Sequence, residues 1–282
     1  MTGIIWLASY PKSGNTWLRA FLANYLENGD QPVLINALPR YVFGDNNLLH
    51  YRDFTGRPPD SFQDDEIATL RPKIHAALAA SRPHDIFVKT HNAVMRVDGC
   101  PLITPSATAG AIYVVRNPLD LAVSFAHHYE MTIDKAVNAL CNETFRLLPE
   151  ANHLTQYLGN WSGHVLSWLR APGLTLHRVR FEDMAAAPHE SFGTLVRFLG
   201  LPFDEARLGR AIAFSDFDVL AGQERSGGFV EQRVAGQRFF REGKTGVWRE
   251  VLSDRHVETL IAHHGDVMRE LGYLTADDEA LT

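Results

Sequence analysis

Four short apolar runs, each leading through a turn into a stretch with helical spacing, constrain this chain most. They are Gly3-Ile-Ile-Trp-Leu-Ala8, Asp85-Ile-Phe-Val-Lys-Thr90, Ala111-Ile-Tyr-Val-Val115 and Leu174–Val179. Apolar runs this short that do not alternate with polar residues fit strands buried on both faces. Strands separated by helices pair in parallel, because a parallel neighbour needs a crossover connection. The expected fold is therefore α/β, a central mainly parallel β-sheet flanked by helices. Ligands of such sheets sit at the carboxyl ends of the strands. Three of the four runs end in cationic or titratable groups: Lys12 after the first, Lys89 and His91 after the second, Arg116 after the third. If these strands are neighbours, their ends form one pocket for an anion.

The intervening sequence fills in the helices. Trp17, Leu18, Phe21, Leu22, Tyr25 and Leu26 recur at helical spacing and stop at Asn28-Gly29-Asp30, so the chain opens with a P-loop-like strand–loop–helix unit. Helices are expected over 64–80, from Pro118 to about Tyr129, over most of 131–158, from Trp161 to Arg170, and through much of 188–214 and 216–224. A last amphipathic stripe (Val257, Leu260, Ile261, Val267, Met268, Leu271) closes the chain. Residues 31–62 read as irregular. Ser226–Gly246 is glycine-rich and polar, and an irregular stretch that long is usually functional. Trp161 and Trp168 read as core. The pairs His127-His128 and His263-His264 are poor chelators, since helical neighbours point apart. Asp277, Asp278 and Glu279 read as a solvated tail.

Composition removes several classes of function. Among 282 residues, 27 Lys and Arg against 33 Asp and Glu give a net charge of −6, so no basic footprint for nucleic acid or a polyanionic surface exists. Two cysteines, Cys100 and Cys141, make neither a disulfide framework nor a metal site. No run reaches the roughly 18 apolar residues of a membrane span, and Gly3–Ala8 lacks the basic flank of a signal peptide. A cytoplasmic setting is the expectation.

The segment Tyr10-Pro-Lys-Ser-Gly-Asn-Thr-Trp17 carries the most chemistry. A glycine-containing turn into a helix presents successive N–H groups at the positive end of the helix dipole, which suits phosphate or sulfate. Ser13 and Thr16 add hydroxyls and Lys12 a charge. It is not a Walker A loop, because Lys12 precedes its glycine, Gly14. Taken alone, the segment is equally compatible with a plain strand-to-helix turn. Arg116, beginning Arg116-Asn-Pro-Leu-Asp-Leu-Ala-Val-Ser124, can grip a phosphate through two parallel bonds, or be a surface arginine paired with Asp120.

Together these segments resemble the cytosolic sulfotransferases, enzymes that use 3′-phosphoadenosine 5′-phosphosulfate (PAPS). The 10–17 loop resembles their 5′-phosphosulfate loop, and the 116–124 segment their 3′-phosphate motif. Val88-Lys-Thr-His91, Trp161–Trp168 and Arg180-Phe-Glu-Asp183 resemble further stretches of that family. Phe239-Phe-Arg-Glu-Gly-Lys-Thr-Gly-Val-Trp248 resembles their late Arg-Lys-Gly segment. Three departures stand out: Asn15 replaces a frequent threonine, Glu242 a lysine and Phe181 a tyrosine. Residues 31–62, 131–160 and 226–246 are expected to form the acceptor site or a lid within a single domain spanning 1–282.

The resemblance implies sulfuryl transfer to a hydroxyl or amine, with His91 as general base and Lys12 stabilising the leaving group. Lys89 and Ser124 complete the implied catalytic set. Lys12, Ser13, Gly14, Asn15, Thr16 and Trp17 would hold the donor, with Arg116, Ser124, Phe181, Phe217, Phe240, Arg241, Glu242 and Gly243. PAPS is the implied co-substrate, 3′-phosphoadenosine 5′-phosphate (PAP) the product, and no metal is required. The implied partner is a small-molecule acceptor, with no nucleic acid or membrane, and a homodimer is left open. Tyr41, Phe43, Tyr51, Phe54 and Phe62 hint at an apolar acceptor or are ordinary packing. The alternatives are a nucleotide-dependent kinase, which would need an acid for Mg²⁺ such as Glu182 or Asp183, and a non-catalytic nucleotide-binding module.

Overall fold

A computed structural model describes residues 3–150, 152–232, 237–275 and 280. Five strands form the central sheet: β1 (Ile4–Ser9), β2 (Val42–Gly44), β3 (Ile86–Thr90), β4 (Thr108–Val115) and β5 (Leu176–Arg180), in the order β2-β3-β1-β4-β5. Every pairing is parallel. From the central β1 the chain moves to one side for β2 and β3 and then crosses to the other for β4 and β5. The carboxyl ends of β3, β1 and β4 thus lie side by side at the switch point, where open α/β sheets bind ligands. Register keeps the ends level, with Ala8 beside Thr90 and Ser9 beside Val114.

The two-residue period of the strands explains why the runs are apolar throughout. Trp6, Ala8, Tyr113 and Val115 enter one core with Phe125, Trp161, Trp168 and Leu260. Leu7, Ile112, Val114 and Val179 enter the opposite core with Phe21, Leu22, Tyr25 and Phe192. Burial on both faces leaves no solvated side for polar alternation.

Most of the expected elements are present, including helices Asn15–Glu27, Asp64–Ala80, Pro118–His128, Trp161–Leu169 and Asp254–Glu270. Two expectations fail. The segment 31–62 is not simply irregular, since it supplies β2 and the helix Leu48–Thr55. A three-residue edge strand is too short to show a period. Nor is 131–158 mainly helical. Its helix stops at Cys141, and Arg146–Leu147 pairs antiparallel with Gln156–Tyr157. Asn142 accepts from the Thr144 N–H (2.9 Å) and hydroxyl (3.0 Å), a local turn that competes with helix continuation. The acidic residues Asp277, Asp278 and Glu279 lie outside the described residues, as does 233–236 within the long irregular stretch. Among the described residues, no helix is long and apolar enough to cross a membrane.

Candidate active site

The loop after β1 folds tightly because Lys12 (φ 71°) and Gly14 (φ 104°) both take left-handed backbone conformations. Lysine pays strain there. At Gly14 a Cβ would come within 2.7 Å of the Phe181 ring, so only glycine fits. The first intrahelical bond is Leu18 N–H to Gly14 O (3.1 Å), which leaves the amides of Asn15, Thr16 and Trp17 pointing beyond the helix end. No acidic side chain occupies that first turn. Lys12 places Nζ 3.8 Å from the centre of the Phe239 ring. Burial first, and then Arg116, lower its pKa to about 7.

His91 follows β3 and approaches the same loop. Its Nδ1 lies 2.8 Å from the Ser9 carbonyl oxygen and 3.2 Å from the Ser9 hydroxyl. A carbonyl can only accept, so Nδ1 carries the proton and Nε2 keeps its lone pair. Burial, reinforced by Lys89, pushes the His91 pKa well below its ordinary value, so the ring is neutral at physiological pH. Its backbone oxygen accepts from His164 Nε2 (3.0 Å), whose Nδ1 lies 2.8 Å from the Tyr113 hydroxyl. The histidine is therefore held at both ring and backbone.

Lys89 meets a partner absent from the expected set. Its Nζ lies 3.5 Å from Glu231, which also accepts two bonds from Arg19 (2.7 and 2.8 Å). Arg19 in turn donates to the Thr16 hydroxyl (3.0 Å). Burial raises the Glu231 pKa, but Arg19 and Lys89 outweigh it and keep the carboxylate well below its usual range. Burial also lowers the Lys89 pKa.

Arg116 is not a surface residue paired with Asp120. It is 9% exposed, lies over the Phe181 ring (4.2 Å), and donates to the backbone oxygens of Lys12 (3.3 Å) and Lys244 (2.9 Å). Asp120 instead accepts from the amides of Gly246 (2.7 Å) and Trp248 (3.0 Å), fastening the late segment to helix Pro118–His128. Glu242 pairs with its neighbour Arg241 at 3.2 Å. Gly243 (φ +65°) is pressed on Phe217, where a Cβ would meet the ring at 2.4 Å.

One cavity of about 920 Å³ collects these groups. It is lined by Lys12, Gly14, Asn15, Thr16 and Trp17 from the loop, Lys89 and His91, Arg116 and Ser124, the rings of Phe181, Phe217 and Phe240, and Arg241, Glu242 and Gly243. Ser13 is the exception. It is buried beneath the loop, and its hydroxyl has no partner among the described residues. Asn15 turns its amide inward, donating to Leu7 O (2.9 Å) and the Ser9 hydroxyl (3.3 Å), and so braces the loop against β1.

Sequence reasoning missed Asp45, Arg19 and Glu231. Asp45, just past β2, is 4% exposed. It accepts from Thr90 (2.9 Å), Asn92 (2.8 Å), His75 (2.9 Å) and Arg71 (3.5 Å), gripping the residues on both sides of His91. Only an arginine three residues after Thr16, within the apolar stripe Trp17–Leu22, hinted at Arg19, and nothing local marked Glu231.

Comparison with known proteins identifies the family and the fold. The family model for the sulfotransferase domain matches residues 3–272. Cytosolic sulfotransferase 5 of Arabidopsis thaliana is 24% identical over 259 residues, 88% of this chain and 74% of that protein. Flavonol 3-sulfotransferase of Flaveria bidentis is 25% identical over 279 residues, covering 91% and 78%. Among solved structures, retinol dehydratase in complex with androsterone and inactive cofactor PAP superposes with a TM-score of 0.64 at 18% identity, covering 95% of this chain and 81% of that one. A mouse sulfotransferase complexed with PAP gives 0.62 at 19%, covering 96% and 87%.

Proposed function

Since the chain belongs to the sulfotransferase-domain family, we propose that it transfers a sulfuryl group from PAPS to a hydroxyl or amine of a small-molecule acceptor, in line, within one domain spanning 1–282. The carrying observation is the convergence of Lys12, Lys89, His91 and Arg116, from three adjacent strand ends, on one cavity.

In this reading the 5′-phosphosulfate lies on the amides of residues 15–17. Arg116 and Ser124 take the 3′-phosphate, and Trp17, Phe217 and Phe240 surround the adenine. His91 Nε2 accepts the acceptor's proton as its oxygen or nitrogen bonds to sulfur. The bond from sulfur to the bridging oxygen of the 5′-phosphate breaks, and that oxygen keeps the electron pair. Lys12 and the loop amides meet the charge, electrostatic stabilisation that is present before the reaction begins. Lys89 faces the sulfuryl oxygens from the other side. These side chains supply the cations the reaction needs, so no metal enters the scheme. The names of the plant relatives support a cytosolic setting.

The His91→Ala variant tests the assignment. PAP affinity measured by calorimetry should be retained, while turnover with labelled PAPS falls about 10²-fold or more. Turnover near the parent rate would remove His91 from the chemistry. Failure of the unaltered protein to bind PAP would overturn the donor assignment.

A further inference from the structure

Resting on that reading, we infer that Glu231 is a positioning residue for sulfuryl transfer: its carboxylate aims the Thr16 hydroxyl at PAPS through Arg19 and pairs with the Lys89 ammonium beside His91. The turn that carries it is braced. Phe229 packs in a core with Leu220, Ala221 and Phe240. Asn36 holds both neighbours of Phe229, its Nδ2 donating to Gly228 O (3.1 Å) and its Oδ1 accepting from Val230 N–H (3.0 Å). Glu231 thus joins the cavity wall from a fixed segment, with its side chain 26% exposed.

Each carboxylate oxygen accepts from Arg19, Oε1 at 2.7 Å and Oε2 at 2.8 Å, a fork that fixes the guanidinium plane. The Nη2 that donates to Oε2 also donates to the Thr16 hydroxyl at 3.0 Å. A guanidinium can only donate, so this bond occupies a lone pair of the Thr16 oxygen and leaves the hydroxyl hydrogen for an acceptor. Thr16 lines the cavity with the loop amides, and in the donor reading that acceptor is a 5′-phosphate oxygen.

Oε2 also lies 3.5 Å from Lys89 Nζ. Lys89 stands two residues before His91, and both line the cavity. Arg19 faces Lys89, and Lys12 faces Lys89 and Arg116. A proton arriving on His91 therefore adds positive charge to a site that is already cationic. Glu231 lies within electrostatic reach of His91, Lys89, Arg19 and Lys12 and offsets that charge. Burial lowers the Lys89 pKa and Glu231 opposes it, and on Lys12 the carboxylate acts in the same sense. Glu224 also faces Lys12 and His164 faces His91, and both stay in place in the variants below. Held far below the usual carboxylate range by Arg19 and Lys89, Glu231 takes no proton from the acceptor, and that role stays with His91.

The test follows kcat/KM for labelled PAPS against pH, and PAP affinity by calorimetry, in the full-length protein, Glu231→Gln and Arg19→Lys. Melting curves establish that each variant folds. Activity falls with rising pH as Lys89 and Lys12 lose their protons, so removing the carboxylate should move this alkaline limb to lower pH by about one unit. At the parent optimum, kcat/KM in Glu231→Gln should drop about tenfold. Arg19→Lys keeps the cation but loses the fork that spans Glu231 and Thr16. Its PAP affinity should fall about three- to tenfold, with the alkaline limb in place. A purely structural role for Glu231 would lower the melting temperature and leave the pH profile where it is. An unmoved limb in folded Glu231→Gln overturns the inference, and undiminished PAP affinity in folded Arg19→Lys does so independently. Loss of PAP binding in the unaltered protein would instead sink the donor reading on which the inference rests.

Discussion

Replacing Asp45 by asparagine removes one negative charge from a site where four groups converge on it. Thr90 and Asn92 donate to one carboxylate oxygen, and His75 and Arg71 to the other. The amide keeps one acceptor and places a donor where the other oxygen was. Arg71, with its side chain 3% exposed, is left without its counter-charge. Breaking a buried ion pair from one side costs about 3–5 kcal/mol. At roughly 2 °C per kcal/mol for a chain of this size, the melting temperature should fall by about 6–10 °C. Thr90 and Asn92 bracket His91, so turnover should also fall, by about ten- to a hundredfold, as expected for a small misplacement of a reacting group. PAP affinity should hold, because Asp45 touches no part of the loop after β1. Differential scanning calorimetry, steady-state kinetics and PAP titration read the three quantities separately. The sign of the pH dependence follows from the depressed Asp45 pKa, where burial raises it but the bonds from His75 and Arg71 win. That stabilisation is fully present above the unfolded carboxylate pKa of about 3.9 and is lost as pH falls towards the lower folded value. The stability gap between parent and variant should be flat from neutrality to about pH 5 and narrow below pH 4. A variant melting within 2 °C of the parent with unchanged turnover would refute the reasoning.

Three further outcomes follow from the same geometry. With its pKa near 7 in the free protein, Lys12 is mostly neutral at pH 8, and phosphate charge will raise that pKa. PAP binding at pH 8 should therefore take up protons, measurable by calorimetry in buffers of different ionisation enthalpy, and Lys12→Met should abolish most of the uptake. Arg116→Ala should reduce the preference for PAP over adenosine 5′-phosphate by about tenfold or more, and undiminished discrimination would contradict the 3′-phosphate role. Chelation with EDTA should leave the rate of sulfuryl transfer unchanged, since cationic side chains supply the charge stabilisation.

The sheet was legible because burial on both faces makes each long strand a solid apolar run, and those runs end where cations appear. Lys12, Lys89, His91 and Arg116 could therefore be placed together before any coordinates. What the sequence concealed are contacts between distant segments. Glu231 reaches Arg19 across 212 positions and leaves no local periodicity. Asp45 follows a strand of three residues, below the length at which alternation can be seen. The departure at Glu242 is resolved locally, since its carboxylate pairs with Arg241. Phe181, where a tyrosine was expected, packs on both Gly14 and Arg116, so its ring braces the loop whether or not a hydroxyl is present.

The central position of β1 sets the order in which this molecule can be made. During synthesis, residues 4–9 leave the ribosome long before either neighbour, since their partners begin at Ile86 and Thr108. Until about residue 90 has emerged, this apolar strand has both edges unpaired, and one edge stays unpaired until about residue 115, an aggregation-prone arrangement. The anion cradle is therefore translated well before the strands that complete its shape. Chaperone capture of nascent chains should concentrate on lengths shorter than this.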